Sequence, residues 1–361
     1  MFYREAGQFK SSYKEDQAVF PILQDRIGIG VILLVAFLGV PFLASEYILS
    51  AIMIPFLILA LAAIGLNILT GYAGQISLGT GGFMAVGAFA AYKFATFTIP
   101  IFGTDGTMPL ILTILLSGVV AALVGIMFGI PSLRIKGFYL AVATLAAQFF
   151  IEWLLVKVGW FTNYSPSGVI TAPPLEVMGY VFASPSEKYI FTLGFVVVLA
   201  VAAKNLVRSH IGRGWMAIRD MDIAAEIIGF KPLQTKLSAF AVSSFFCGVA
   251  GALWAFVYLG TVEPEAFNIN RSFSILFMVI IGGTGSILGS FIGAAFIMLL
   301  PIFLSNVPPL IGWNIGVDMV AHLEFMIFGV LIIFFLIVEP HGLARLWTIG
   351  KEKLRSWPFP Y

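Results

Sequence analysis

Residues 208–230 read Arg208-Ser-His-Ile-Gly-Arg-Gly-Trp-Met-Ala-Ile-Arg-Asp-Met-Asp-Ile-Ala-Ala-Glu-Ile-Ile-Gly-Phe230. This is the one long polar, basic-leaning break among segments apolar enough to cross a bilayer. Its pattern is that of a folded element and not of a slack linker. Trp215, Ile218, Met221, Ala225 and Ile228 recur at three- and four-residue steps and so share a helix face. Arg219, Asp222 and Glu226 fall on another. Gly229 supplies a C-terminal stop and Pro232 forbids simple continuation. A short amphipathic helix between two membrane spans must bury its apolar face. The pattern fits two settings equally: a helix lying on the lipid surface, or a docking helix for a cytoplasmic partner.

The rest of the chain sets the context. Of its 361 residues, 60% are hydrophobic and 11% charged, and the mean hydropathy is +1.01. Soluble domains carry roughly 25% charged residues, so the composition specifies an all-α polytopic membrane protein. The net charge of +2 does not point to nucleic acid, because the basic residues sit between apolar spans. With one cysteine, Cys247, the chain has no intrachain disulfide to form. His210, His322 and His341 are scattered without metal-ligand spacing, and no metal site is expected.

Ten segments reach spanning length, about 20 apolar residues each: 28–45, 47–70, 75–97, 108–130, 137–158, 188–207, 236–260, 267–282, 285–305 and 321–338. Residues 1–27 form a polar N-terminal segment with no small-residue cleavage site, so 28–45 reads as a retained first span. The membrane domain runs over 28–338 with the polar loop 208–235 inside it, and 339–361 form a tail. Segments 75–97 (glycine-rich) and 267–282 (short) suit a re-entrant or half-crossing helix as well as a full span. With both termini cytoplasmic, Arg134, Lys136, Lys204, Arg208, Arg213, Arg219, Lys231, Lys236 and the basic residues of the tail fall on one side. The loops assigned to the other side hold no Lys or Arg, as the positive-inside rule requires. Arg271 is placed at the outer end of its segment.

Two stretches are candidates for function. In 65–87, glycines at 65, 71, 74, 79, 81, 82 and 87 alternate with Asn67, Gln75, Ser77 and Thr80. Such a run suits close helix packing. It equally suits an interrupted helix whose freed backbone lines a cavity, in which case Asn67, Gly71, Gln75, Ser77, Gly79 and Thr80 line a translocation path. In 282–289, Gly282, Gly283 and Gly285 fit a tight turn between two spans. Neither stretch has a phosphate-loop lysine, so this chain is not expected to bind ATP. Glu152, one helical turn after Gln148, is a candidate for the outer part of a path. No mid-span acid or histidine relay marks an ion-coupled carrier, and no nucleophile–base constellation marks an enzyme.

Five blocks then carry a resemblance. Gly71-Tyr-Ala-Gly-Gln-Ile-Ser-Leu-Gly79 with Phe83 and Gly87, Pro131 to Tyr139 with Thr144-Leu145, Arg208 to Gly229, Gly282-Gly-Thr-Gly-Ser286, and Glu339-Pro-His-Gly-Leu343 resemble, in order, the motifs of the bacterial branched-chain amino acid ABC importer permeases. The similarity is to the longer of their two permease subunits and covers about 30–345. The resemblance implies an inner-membrane complex of two homologous permeases, two ATPases that bind ATP and magnesium, and a periplasmic substrate-binding protein. It implies that 208–230 couples to the ATPase. Ala217, Ala224, Ala225 and Gly229 would be small seating residues, with Arg213, Arg219 and Glu226 as polar contacts. Thr80 stands where many relatives have histidine, and Gly81-Gly82 where they often have alanine. Ser165–Gly168 also departs from the usual pattern. The resemblance therefore leaves the cargo open among branched-chain and other amino acids, urea, short amides, small aromatic acids and sugars.

Overall fold

The computed structural model describes residues 23–96, 108–132, 139–177, 179–310, 317–338 and 341–356. Arg134, Lys136, the loop 98–107, Glu339 and Pro340 lie outside the described residues, as does most of 1–27. The described chain is mostly helical. Its longer apolar helices are α1 (Asp25–Leu43), α2 (Ile48–Tyr72), α3 (Thr80–Thr96), α4 (Leu110–Ser132), α5 (Tyr139–Lys157), α6 (Pro185–Arg208), α9 (Pro232–Leu259), α10 (Ile269–Gly282), α11 (Ile287–Leu310) and α12 (Val317–Val338). Between α6 and α9 lie the short helices α7 (His210–Asp220) and α8 (Asp222–Ile227), and α13 (Gly342–Ser356) closes the chain. Each expected span coincides with a helix. Seven of the helices are long and apolar enough to cross a membrane by length and composition. Three depart from that pattern. Segment 75–97 is helical only from Thr80, 267–282 becomes a helix of 14 residues, and in α12 the described apolar stretch, Met326–Phe335, is shorter than a span.

Helix α2 is the centre of the bundle. Its residues from Leu57 to Leu69 are almost fully buried, which fits a helix apolar on all faces. It packs on α9, α11, α6 and α10. Helix α9 in turn lies against α3 and α4 with its backbone nearly touching theirs. A Cβ on Gly87 would fall 2.1 Å from the carbonyl oxygen of Gly248, and one on Gly248 would fall 2.4 Å from the Ala121 side chain. Glycine at such positions lets dispersion forces act between backbones where lipid supplies no hydrophobic drive.

Two small antiparallel ladders cover the end of the bundle away from α7. β1 (Ile170–Thr171) pairs with β4 (Thr261–Val262), with Ile170 opposite Val262, and β2 (Glu176–Val177) pairs with β3 (Tyr180–Val181). At the start of α6, Ser184 and Glu187 form a reciprocal capping box, and Tyr180 also donates to the Glu187 carboxylate.

Candidate functional site

The amphipathic stretch does not form one helix. Met221 is extended (φ −159°, ψ 95°) and separates α7 from α8. The stripe expected along a single helix is divided accordingly. Trp215, Ile218 and Ala225 are buried in the protein, and the indole of Trp215 donates to Ser238 at 2.9 Å. Met221 and Ile228, expected on the same face, instead join Ile223 and Ile227 as exposed residues. The break at Met221 rotates α8 relative to α7, and the two halves of the stripe part. The chain then stops at Gly229 (φ +106°), whose amide and that of Phe230 return to Glu226 and Ala225 carbonyls.

Of the residues expected to meet an ATPase, Arg213, Glu226 and Gly229 are exposed, while Ala217 and Ala224 are half-buried. Two turn inward. Ala225 is 2% exposed and lies within the chain. Arg219 sends a guanidinium N–H to the carbonyl of Gly71 at 2.8 Å and pairs with its neighbour Asp220 at 2.8 Å. It links the amphipathic stretch directly to the end of the central helix.

That link is one side of a junction. Asn67, 1% exposed, donates from Nδ2 to the Ser286 carbonyl at 2.8 Å, the Ser290 hydroxyl at 2.9 Å and the Gly283 carbonyl at 3.3 Å. Its Oδ1 accepts from the amide of Gly285 at 2.8 Å. The 282–286 segment is a tight turn, with Gly283 at φ +120° and Gly285 at φ +78°. Gly71 lies directly against it, since a Cβ there would come within 2.1 Å of the Gly285 nitrogen. On the far side the turn meets the start of α13, where a Cβ on Gly342 would lie 2.6 Å from the Gly283 nitrogen. Four blocks spread over 270 residues of sequence thus meet at one point, at the end of the bundle that carries α7 and α8.

From this junction the chain climbs back into the bundle without helix. Residues 74–79 are irregular between α2 and α3, and Gln75, Ser77 and Gly79 are buried. Both amide atoms of Gln75 are buried with no hydrogen-bond partner. The Leu78 amide donates to the Thr144 hydroxyl at 2.9 Å, and Gly79 packs against the Thr144 carbonyl. Thr80, also buried, begins α3. The free amides of that helix start are taken by side chains from elsewhere: Gly81 donates to Ser272 at 2.8 Å and Gly82 donates to Gln148 Oε1. Gln148 then donates to the carbonyl of Phe267 at 2.8 Å, just before α10 begins. Two helices, α3 and α10, therefore start side by side inside the bundle, tied by Gln148 from α5. Glu152, one turn further along α5, is half-buried beside this belt.

The geometry divides the expected path residues into two groups. Asn67 and Gly71 belong to the junction with Gly282, Gly283 and Gly285. Gln75, Ser77, Gly79 and Thr80 lie along the break, with Glu152 near its far end. Sequence reasoning did not single out Ser272 and Ser290. Each is a small hydroxyl in a largely apolar segment, and only its partner in space gives it a role.

A mostly helical bundle packed around a buried central helix, with an irregular stretch after it and an amphipathic elbow, is consistent with a polytopic membrane permease. Residues 48–336 match the family described as the branched-chain amino acid transport system permease component, and the chain belongs to that family. It is 33% identical over 254 residues to the high-affinity branched-chain amino acid transport system permease protein LivM of Salmonella typhimurium, covering 64% of this chain and 57% of that one. Identity to LivM of Escherichia coli is 32% over 280 residues, covering 71% of this chain and 63% of that one. The chain thus spans about three fifths of the length of these relatives. The ribose import permease protein RbsC of Haemophilus influenzae is 25% identical over 285 residues, covering 75% of this chain and 80% of that one. No solved structure matches the chain.

Proposed function

We propose that this chain is the transmembrane permease subunit of an ATP-driven importer that takes up branched-chain or other hydrophobic amino acids across a bacterial inner membrane. The family match over residues 48–336 carries the reading. The exposed Met221, Ile223, Ile227 and Ile228 support it, because an exposed apolar surface of this kind calls for a partner. In this reading α7 and α8 dock on an ATPase subunit, which binds ATP and magnesium; the chain itself binds neither and catalyses no reaction. Arg219 passes movement of the elbow to Gly71, and the Asn67 clamp carries it to the 282–286 turn. A second homologous permease completes the pore, and a periplasmic binding protein delivers cargo. Both termini and the elbow lie on the cytoplasmic side.

The test is to tag the chain at its native locus, extract it in mild detergent and identify what co-purifies. Two ATPases and a second permease are the expected companions, and the reconstituted complex should accumulate leucine only with ATP. A solitary chain that transports when reconstituted alone would sink the importer reading. The kinship with a ribose permease makes sugar the second cargo to test, so ribose and leucine uptake belong in the same assay.

A further inference from the structure

One charged side chain in the bundle rests on an aromatic ring. Arg271 sits in the first turn of α10, next to Ser272, which ties α10 to the start of α3. At a rise of roughly 1.5 Å per residue, about 17 Å of helix separates it from the Gly282 turn. Half of a hydrocarbon core of about 30 Å is close to that depth, so the residue stands near mid-membrane. Its guanidinium carbon lies 4.3 Å from the centre of the Trp254 ring, and Tyr258 packs on the same indole with ring centres 4.6 Å apart. Among the described residues the guanidinium has no ion pair and no hydrogen bond. Trp254 is 4% exposed and its indole N–H is buried without an acceptor. Arg271 is itself only half-buried and Tyr258 is exposed, so the cluster opens to one side.

A permanent cation at this depth is costly to keep unpaired, and intramembrane charges usually mark pathways. An aromatic face holds a guanidinium in place but leaves its planar fork of donors free. That fork matches a carboxylate two bonds at a time. Two helices starting in mid-membrane beside it add the positive ends of their dipoles. Resting on the importer reading above, the geometry points to Arg271, seated on Trp254, as the residue that receives the carboxylate of a passing amino acid at mid-membrane.

The test uses the whole complex in proteoliposomes with its binding protein, comparing wild type with R271Q, R271K and W254F. Leucine uptake should lose about tenfold or more in maximal rate in R271Q, the scale of one lost charged hydrogen-bonded pair. The concentration for half-maximal uptake, set by the binding protein, should stay unchanged. R271K, which keeps the charge but not the fork, should recover part of the rate, and W254F should lose less than R271Q. Assembly and ATP hydrolysis without cargo should match wild type in all three. Wild-type leucine uptake equalled by R271Q would overturn the assignment while leaving the importer reading intact. Failure of both R271Q and R271K to assemble would also overturn it, by making Arg271 a contact of the partner permease. A wild-type complex that carries ribose and no amino acid would instead refute the cargo reading on which the assignment rests.

Discussion

Replacing Asn67 by leucine tests whether the junction is held by its amide. The two side chains branch at the same carbon and differ little in volume, so the change removes hydrogen bonds and adds little strain. The Gly285 amide loses its acceptor at 2.8 Å and is left half-buried and unpaired, at a cost of up to about 1–3 kcal/mol. The carbonyl of Ser286 keeps a bond from the Ser290 amide at 3.2 Å, so its loss is partial. The remaining donors of Nδ2 add roughly 0.6 kcal/mol each, the average for side-chain bonds between membrane helices. The sum is about 2–4 kcal/mol. For a domain of this size that lowers an apparent heat-inactivation midpoint by about 5 °C. Heating the detergent-solubilised chain and measuring the fraction that still elutes as a single species by fluorescence reads this directly. S290A is the reference, because it removes a single partner of the same amide and should cost under about 1 kcal/mol. An N67L midpoint no lower than that of S290A would refute the clamp.

Three further outcomes follow from the same geometry. Gly74 has φ +69° and a Cβ there would meet the Arg219 side chain at 2.7 Å, so G74A should displace Arg219 from Gly71. Leucine uptake by the reconstituted complex should fall several-fold while ATP hydrolysis persists; unchanged uptake would remove Arg219 from the transmission route. Q148L strands the Gly82 amide and the Phe267 carbonyl and should destabilise the chain by about 2–4 kcal/mol in the same heating assay, more than Q148E, which keeps the acceptor. The Tyr180 phenol, held by its hydrogen bond to the Glu187 carboxylate, has its pKa raised above the ordinary phenol value. Its contribution to stability is therefore present below that ordinary value and lost as pH rises through the raised one. Phenolate absorbance in wild type minus Y180F should show a late-titrating tyrosine; a tyrosine titrating at its ordinary pH would refute the bond.

The sequence by itself determined the class of the fold. Long apolar runs can satisfy their backbone in lipid only as helices, so helices at 47–70, 108–130, 188–207 and 236–260 were legible from hydropathy alone. The stops were legible too, because Gly229, Gly283 and Gly285 adopt backbone angles that other residues resist. Local pattern could not reveal the partners of the polar residues inside those runs. Asn67 reads as a path residue because it is a polar group in a glycine-rich run, and Arg219 as a docking residue because the resemblance places it there. Only the packing of α2 against the 282–286 turn and of α7 beneath α2 turned them into a clamp and a link. The break at Met221 was hidden for a similar reason. The 3.6-residue stripe through it is unbroken in sequence, but Trp215 on one side and Ala225 on the other are anchored to the bundle separately. Arg271 was legible as a charge and read as sitting at an outer end. Its seat on the Trp254 ring depends on α10 having 14 residues, and that length is set by where α3, α5 and α10 meet.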